Sequence, residues 1–584
     1  MDTLGSGMCD STLTGSQDHQ TGGAGMLVVG YRGTLRAAST TVLRLPRSAN
    51  DDEVFIDDQP PIVGTILEPW LAKALDQLTE RSAPNLLLFR GATVPLESLL
   101  LLLKERLIDV LTQAVGDASI APGAHSSHWS ASDILLKCPL LAPLLRSVVA
   151  EWVSATITFL RRLHQDQHWI AADLGLAGLP SIEAVSGTTS DAHPGGHFVL
   201  RICFVGGCCL YYKPRPVTGE WLWHGLLDAV ARIDPELRLP ASRVLGDGSR
   251  LDYGWTSSVF AEVEALAGNC DEKANSDSAG TPGYWHAAGA MLCLAQRARL
   301  TDLHLGNIVA TPRGPAVTDA ECFATPDIHL LRDDKVSPKH AAISDAVGSL
   351  LSTGLLPLRP ATGYPDVSGL FGHTAPVPGV MLPKWVVSLD GRYRLTAVEA
   401  ELAAHPNLLA QTSAIAALPQ ILSGYRHAAD LLLRARATLI GSGTRWLAVL
   451  EKVHAPRFVV RDTLTYGMLL SQSLEPQYLR SRHRRQCAIL SGLDACSVVR
   501  QPWSLVRSEA RDLLEMHVPR LVVLPGSRTL AAGSGRRSAS RFTACTPAQA
   551  VIRQIEELSH ESIENVQAPA LMSAIFVDYV SNDR

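Results

Sequence analysis

The sequence lacks several features that would assign the chain to a particular class of protein. Its longest leucine run, residues 99–103, is far shorter than the roughly 20 apolar residues that span a bilayer. A formal net charge of only −5 over 584 residues gives no general attraction to nucleic acid. The eleven cysteines include no Cys-x-x-Cys pair, which argues against both a disulfide framework and a conventional zinc site.

The amino terminus also lacks the basic segment and apolar stretch of a secretory signal. Residues 1–25 are instead rich in Gly, Ser and Thr, and we predict a disordered tail there. These absences together predict a cytoplasmic protein with no membrane partner and no nucleic-acid partner.

The rest of the chain divides by texture. Residues 26–185 are predicted to form a helical accessory region, because "PLLAPLLRSVVAEWVSATITFLRRL" (139–163) repeats apolar residues at three-and-four spacing. Strands begin near Ser186, and "HFVLRICFVGGCCLYYK" (197–213) predicts a hairpin around Gly206-Gly207. Helices dominate again over 341–455, and a second mixed region follows. The basic stretch 527–544 is predicted to be an exposed loop, with phosphate binding as the open alternative.

The stretch "TDLHLGNIVATPRGPAVTDAECF" (301–323) carries the strongest chemical pattern. Asp302 and Asn307 are five residues apart, and a predicted strand, tight turn and strand then lead to Asp319. In kinase-type phosphoryl transfer an aspartate orients the attacking hydroxyl, an asparagine five residues later holds magnesium, and a further aspartate holds the metal that bridges the phosphates. The spacing therefore predicts a phosphoryl-transfer site.

Magnesium explains these residue types, because it prefers oxygen ligands and neutralises the charge of a triphosphate. Asn307 and Asp319 are the predicted metal ligands, and Glu321 could add to the same shell. His304, taken alone, is more often a structural residue, but within this pattern it is a catalytic candidate together with Asp302. As an alternative to a metal site, these acids could be helix caps and solvated turn residues.

A kinase-like site also needs a cation for the phosphates. Lys213 ends the apolar strand "CLYYK", where an ammonium could reach the α and β phosphates. Before the first strand of the hairpin, "DAHPGG" places Asp191, His193, Gly195 and Gly196 in a turn. Its glycines would let the backbone close over phosphates.

With these pieces in order, the sequence resembles the dehydratase domain of class II lanthipeptide synthetases (LanM type). The family elements Asp-x-His-x-Gly-Gly, Tyr-Lys-Pro-Arg, Tyr-x-Trp and Thr-Asp-x-His-x-x-Asn correspond in order to "DAHPGG", "YYKPR", "YGW" (253–255) and "TDLHLGN". Segments at 352–357, 421–432 and 457–470 are similar as well, so that the resemblance runs from about residue 66 to near the end.

The resemblance implies an α+β fold with a bilobal kinase-like core, similar to lipid and protein kinases, over 186–455 and large helical additions. It implies that ATP and Mg²⁺ are used to phosphorylate Ser or Thr of a leader-bearing precursor peptide. The same pocket then eliminates phosphate to leave dehydroalanine or dehydrobutyrine. Residues 456–584 would complete the elimination site through Arg457 and Thr463. Asp191, His193 and Lys213 are candidates for the proton transfer, and which of them is the base stays open.

Three departures from the family pattern bear on activity. Ser257 stands where a glutamate is usual two residues after the Trp, with Glu262 as a possible substitute. Ala287 replaces an arginine, and His517 replaces an acid. The zinc-dependent cyclase of full-size members has no counterpart, so we expect no zinc and no ring formation by this chain, and a separate cyclase is a possible partner.

Two rival functions remain open from the sequence. A small-molecule phosphotransferase of the aminoglycoside or choline kinase type also uses Asp-x-His-x-x-Asn followed by a hairpin aspartate. A degenerate enzyme that only binds a leader peptide and scaffolds a partner would explain Ser257 and Ala287. The segment around Arg457 and Thr463, which a plain kinase does not need, favours the dehydratase.

Overall fold

The computed structural model describes most of the chain between residues 43 and 580. The described ranges are 43–44, 53–55, 61–89, 92–116, 130–187, 195–246, 252–259, 282–328, 338–357, 366–372, 376–388, 393–402, 414–496, 501–533, 536–539 and 541–580. The predicted tail over 1–25 lies outside them. The fold mixes helices with several small sheets, as predicted. Within these ranges no helix combines the length and apolar character that a membrane crossing needs.

The amino-terminal region is helical, as its spacing predicts. Two short strands, β1 (Leu43–Arg44) and β2 (Glu53–Phe55), precede it, and strands β3 (Leu88–Phe89) and β4 (Ala92–Thr93) interrupt it. The helices are α1 (Pro61–Arg81), α2 (Leu96–Gly116), α3 (Ala131–Lys137) and α4 (Leu141–Asp173). Helices α1, α2 and α4 pack on one another, because the apolar stripe of α4 buries residues such as Leu145, Val149 and Trp152.

A five-stranded antiparallel sheet follows. Its strands are β5 (Ile182–Gly187), β6 (Leu200–Phe204), β7 (Cys209–Lys213), β8 (Val244–Leu245) and β9 (Gly254–Ser257), in the order β5-β6-β7-β9-β8. The hairpin predicted around Gly206-Gly207 is confirmed, with Leu200 opposite Tyr212. Phe159 of α4 packs at ring-centroid distances of 5.3 Å from Tyr212 and 6.4 Å from Trp255. Helices and sheet therefore share one core across the predicted boundary at residue 186.

The cysteine prediction needs one correction. Cys203 and Cys209 form a disulfide across the β6–β7 hairpin, where they are directly opposite each other. Opposed residues of neighbouring strands bring their Cβ atoms within about 5.5 Å. Sequence spacing alone does not reveal such a cross-strand pair.

A second core forms around α6 (Pro282–Arg297), which packs against α8 (Ala414–Ile440). Other elements there include α5 (Thr218–Ala231), the β10 (Ile308–Thr311) and β11 (Gly314–Val317) hairpin, α7 (Pro338–Leu351) and α9 (Arg445–Lys452). A Cβ on Gly289 would lie 2.0 Å from the Ile421 carbonyl oxygen, and one on Gly424 would lie 1.8 Å from that of His286. The two helices can approach this closely only because both positions are glycine.

The prediction that helices dominate over 341–455 is wrong for the middle of this range. Strands β12 (Pro376–Ser388) and β13 (Tyr393–Leu402) pair there and bind β1 and β2 in a four-stranded sheet. The residues between the two strands include Asp390-Gly391, the dipeptide most typical of a tight hairpin. That signal was present in the sequence.

The carboxy-terminal part joins helices to a small sheet. It contains α10 (Thr463–Ser473), α11 (Arg482–Ala495), α12 (Trp503–Leu514), α13 (Pro547–Glu556) and α14 (Ala568–Val580), with strands β14 (Leu521–Val523), β15 (Leu530–Ala532) and β16 (Arg537–Ala539). The prediction of an exposed loop over 527–544 is wrong for β15, whose Leu530 and Ala531 are fully buried. Three apolar residues are too few to show a period.

Candidate active site

The predicted strand, turn and strand after Asn307 are confirmed as the β10–β11 hairpin. Ile308 lies opposite Val317, and the backbone N–H of Thr318 donates to the Asn307 carbonyl at 3.0 Å. This bond closes the base of the hairpin. Asn307 and Asp319 are consequently brought side by side at its open end.

Asp302 and His304 lie just before the hairpin and fix the shape of the loop that leads into it. Asp302 adopts a left-handed conformation with φ +66, and its carbonyl accepts a hydrogen bond from Asn307 Nδ2 at 2.9 Å. His304 caps the 3₁₀ turn Leu305–Asn307, since its Nδ1 accepts from the Gly306 N–H, and its Nε2 lies 3.0 Å from Asn307 Nδ2. His304 therefore shapes the loop that carries the other two residues.

Lys213 reaches this hairpin from the end of β7. It is buried, and its Nζ donates to Glu220 Oε1 at 2.7 Å and to the Thr318 carbonyl at 2.7 Å. Asp319 Oδ2 lies 3.9 Å away. The lysine and the hairpin acid, separated by about a hundred residues in sequence, thus share one pocket.

Sequence reasoning missed the counter-ion of this lysine, Glu220, and its neighbour Arg215. Arg215 Nη2 lies 2.7 Å from both Glu220 Oε1 and Asp319 Oδ1. Burial alone would raise the pKa of Glu220, but Arg215 and Lys213 outweigh it and lower the pKa to about 2. Glu220 lies in the first turn of the helix that follows the lysine strand, which was a usable signal.

Glu321 is surrounded by guanidinium groups. Its Oε1 accepts from Arg457 Nη1 at 2.6 Å, and its Oε2 lies 3.3 Å from Arg215 Nε and 3.4 Å from Arg520. Both oxygens are therefore engaged by arginines, which differs from the metal-ligand position predicted for this residue. We call the following residues the charged cluster: Lys213, Arg215, Glu220, Asp319, Glu321, Arg457 and Arg520.

Asp302 borders the charged cluster and has a strongly altered acidity. Burial is the largest influence and raises its pKa, Arg457 opposes this, and Glu321 and Asp319 add to it, so that the pKa rises to about 7. A carboxylate with a pKa near neutrality can both accept and release a proton at physiological pH.

Thr463, predicted with Arg457, lies at the start of α10 and is buried. Asp462 caps this helix by accepting from the Thr465 N–H and also raises the pKa of Asp302. The amino-terminal end of α10 therefore lies near Asp302. The intervening Arg461 points elsewhere and pairs with Glu509.

The glycine loop is only partly described. Asp191 and His193 lie outside the described residues, whereas Gly195 and Gly196 adopt positive φ values of 86 and 69. A Cβ on Gly196 would lie 2.8 Å from Glu151 Cβ and 3.2 Å from Arg106 Nη1. The described neighbours of this turn thus belong to α2 and α4.

The departures from the family pattern have structural counterparts. Ser257 lies opposite Leu210 and therefore shares its face of the sheet. Leu210 is three residues before Lys213 on the same strand, so the side chains of Ser257 and Lys213 are on opposite faces. Ala287 packs closely against the hairpin turn, since a Cβ added to Gly314 would lie 2.5 Å from the Cβ of Ala287. His517 Nε2 lies 3.0 Å from Glu151 Oε2. Glu262 lies outside the described residues.

Two of the three predicted metal ligands fit Mg²⁺. Asp319 keeps a quarter of its side chain exposed, and its Oδ2 has only the distant Lys213 as a described partner. The amide of Asn307 uses its nitrogen as donor, which leaves its oxygen for a cation. Among the described residues no three His, Cys, Asp or Glu side chains form a metal cage. Magnesium does not need one, since it commonly takes one or two protein oxygens plus phosphates and water.

Comparison with known protein families finds one family that matches most of the chain. The family described as "Domain of unknown function (DUF4135)" matches residues 138–523. The chain belongs to this family. The matched range includes the charged cluster, Asp302, Asn307 and Thr463, but not α13 or α14. A search of curated proteins finds no match.

Proposed function

We propose that the protein is an ATP-dependent dehydratase that acts on Ser or Thr of a ribosomal precursor peptide with a leader. The observation that carries the proposal is the convergence of Lys213, Asp319 and Arg457 in one charged cluster beside Asp302. The resemblance of the surrounding motifs to class II lanthipeptide synthetases supports it, as does membership of a family associated with such proteins.

A kinase-like core is part of this proposal. Lys213 lies on the third strand of a five-stranded antiparallel sheet and pairs with a glutamate of the helix that follows. Protein kinases place their phosphate-binding lysine on the third strand and pair it with a helix glutamate. The hairpin between Asn307 and Asp319 supplies the remaining parts in the kinase spacing.

In the phosphorylation step Asp302 would accept the proton of the substrate hydroxyl as its oxygen attacks the γ-phosphorus. Lys213, whose Nζ lies 3.9 Å from Asp319 Oδ2, would contact the phosphates. Mg²⁺, held by Asn307 and Asp319, would neutralise phosphate charge. The products are a phosphorylated peptide and ADP.

In the elimination step the Cα–H proton of the phosphorylated residue passes to a base, and the Cβ–O bond breaks as phosphate leaves with its electron pair. An α-proton of a peptide is weakly acidic, so stabilisation of the leaving phosphate is needed. Arg457 would supply this stabilisation, because its guanidinium fork matches phosphate oxygens. The base would come from Asp191, His193 or Lys213.

Mass spectrometry tests the proposal. The full chain is incubated with ATP, Mg²⁺ and a leader-bearing candidate precursor peptide rich in Ser and Thr, and loss of water from the peptide is expected. Asp319→Asn should abolish every mass change, because it removes the exposed carboxylate of the cluster. Asp345→Asn, on the exposed side of α7, should dehydrate normally.

ATP consumption that needs no peptide would favour the small-molecule phosphotransferase instead. Peptide binding without ATP consumption would favour the scaffold. Intact dehydration by Asp319→Asn would contradict the assigned site.

A further inference from the structure

The backbone brings two arginines of the charged cluster to the same face of a short ladder. Arg457 forms an antiparallel bridge with Val522, flanked by hydrogen bonds from Phe458 N–H to the Leu521 carbonyl and from Val523 N–H to the Pro456 carbonyl. Arg520 is two residues before Val522, so its side chain leaves on the same face as that of Arg457. Such diagonal neighbours have Cβ atoms within about 8 Å.

Arg520 is held only weakly by its present partner. Its Nε and Nη2 both contact the same oxygen of Glu321 at 3.4 Å, and that oxygen also faces Arg215. Its Nη1 makes no hydrogen bond to any described residue. Arg457 likewise uses one side-chain nitrogen, Nη1, within the described structure. Both guanidinium groups therefore keep donors for an anion.

The charges of this pocket also favour an incoming anion. Four cations, Lys213, Arg215, Arg457 and Arg520, face three paired carboxylates, those of Glu220, Asp319 and Glu321. Within the charged cluster, four positive charges less three negative ones leave one positive charge in excess. Burial, Arg215 and Arg457 lower the pKa of Arg520 against the opposing effect of Glu321, whereas the pKa values of Arg215 and Arg457 are raised. This difference agrees with the weaker pairing of Arg520 with carboxylates.

We propose that Arg520 is a second phosphate-binding residue, which together with Arg457 holds the phosphate that leaves the peptide. The proposal rests on the proposed function and adds a residue to it. Two guanidinium groups offer more donors than one carboxylate can accept, whereas a phosphate dianion has enough oxygens for both forks. Glu321 is the counter-ion that the two arginines share before phosphate arrives.

Titration calorimetry of the full chain with inorganic phosphate tests this directly. Wild type should bind, and Arg520→Gln should weaken binding about ten- to a hundred-fold, as expected for a lost charged hydrogen bond. Arg520→Lys should lie between them, because lysine keeps the charge but not the fork. Arg537→Gln removes an exposed charge from the same three-stranded sheet and should bind like wild type.

The proposal is overturned if wild type does not bind phosphate, if Arg520→Gln binds as well as wild type, or if Arg537→Gln weakens binding equally. Melting temperatures of all variants identify any loss of folding, and Arg520→Lys then gives the decisive comparison. If Arg520→Gln binds phosphate as tightly as wild type and peptide dehydration is intact, only this inference is removed. Phosphate binding without any ATP-dependent mass change of the peptide removes the proposed function instead.

Discussion

Arg457 and Arg461 are four residues apart in "RFVVRD" but enter two very different ionic clusters. Arg457 joins the charged cluster, where its side chain is 15% exposed and that of Asp319 is 25% exposed. Arg461 joins what we call the sealed cluster, with Tyr466 and Glu509, where arginine and glutamate side chains are 4% and 0% exposed.

The two clusters differ in what their hydrogen bonds connect. Arg461 pairs with Glu509 of α12 and donates to the Leu493 carbonyl of α11, and Tyr466 of α10 donates to the same Glu509 oxygen at 2.6 Å. The sealed cluster thus ties three helices together. The charged cluster has more cations than firm partners and an opening at Asp319. Buried charge alone does not indicate function, whereas excess charge with access does.

The largest expected effect is on stability, from breaking the sealed cluster. Glu509→Ala should lower the free energy of unfolding by about 3–5 kcal/mol, because Arg461 would remain buried without a carboxylate. Scanning calorimetry measures the change. Glu451→Ala, at an exposed glutamate of α9, is the matched control and should melt like wild type. An equal melting temperature for Glu509→Ala would show that the cluster is not structural.

The charged cluster should respond in the opposite way. Arg457→Ala should slow elimination about a hundred- to a thousand-fold, as losing a key electrostatic contact to a leaving group does, while phosphorylated peptide accumulates. Stability should change little, since Glu321 keeps Arg215 and Arg520. Mass spectrometry of the peptide over time separates the two products. Arg484→Ala, exposed on α11, serves as control, and equal dehydration by Arg457→Ala would remove the elimination role.

Local patterns in the sequence were enough to predict the elements that carry Lys213 and Asp319 of the charged cluster. The hairpin between Asn307 and Asp319 follows from turn residues between two short apolar runs, and the lysine strand follows from its β-branched and aromatic residues. These signals act over a few residues. The structure confirms both elements, and it brings Lys213 and Asp319 together.

Glu220, close to Lys213 in sequence, had a local signal, but the partners from distant segments could not be predicted because they meet only through tertiary packing. Arg520 and Arg457 become neighbours only through a single β-bridge between segments about sixty residues apart. Nothing in "VVRDT" distinguishes the arginine of the sealed cluster from that of the charged one. The missed β12–β13 hairpin has a different cause, because Asp390-Gly391 is a local hairpin signal. The helical patterns on either side of it led to the wrong prediction.

A smaller effect is expected from the raised pKa of Asp302. Because its folded pKa of about 7 is above the ordinary value, ionisation opposes folding, and the stability present at low pH is lost as pH rises from about 4 through about 7. Asp302→Asn should therefore gain about 1–2 kcal/mol at about pH 8 and almost nothing at about pH 4, less than the full shift because Arg457 loses a partner. Melting temperatures at both pH values measure it.

The same residue links this shift to catalysis. In the proposed role of proton acceptor, Asp302 must be ionised, so this proposal predicts that wild-type phosphorylation falls as pH drops below about 7. Asp302→Asn should be inactive at every pH. A variant that is no more stable than wild type at about pH 8 would show that the carboxyl is not strained by burial.

The smallest expected effect distinguishes the two faces of the sheet at Ser257. Its Oγ accepts the Arg243 N–H at 2.9 Å, and it lies on the face opposite Lys213. Ser257→Ala should cost about 1 kcal/mol, the usual value of one hydrogen bond, and leave the phosphorylation rate unchanged. If position 257 instead supported the lysine, the rate would fall with little loss of stability. An unchanged rate would leave Glu220 as the residue that orients Lys213. That role of Glu220 would account for the serine at a position where the class II lanthipeptide synthetase pattern has a glutamate.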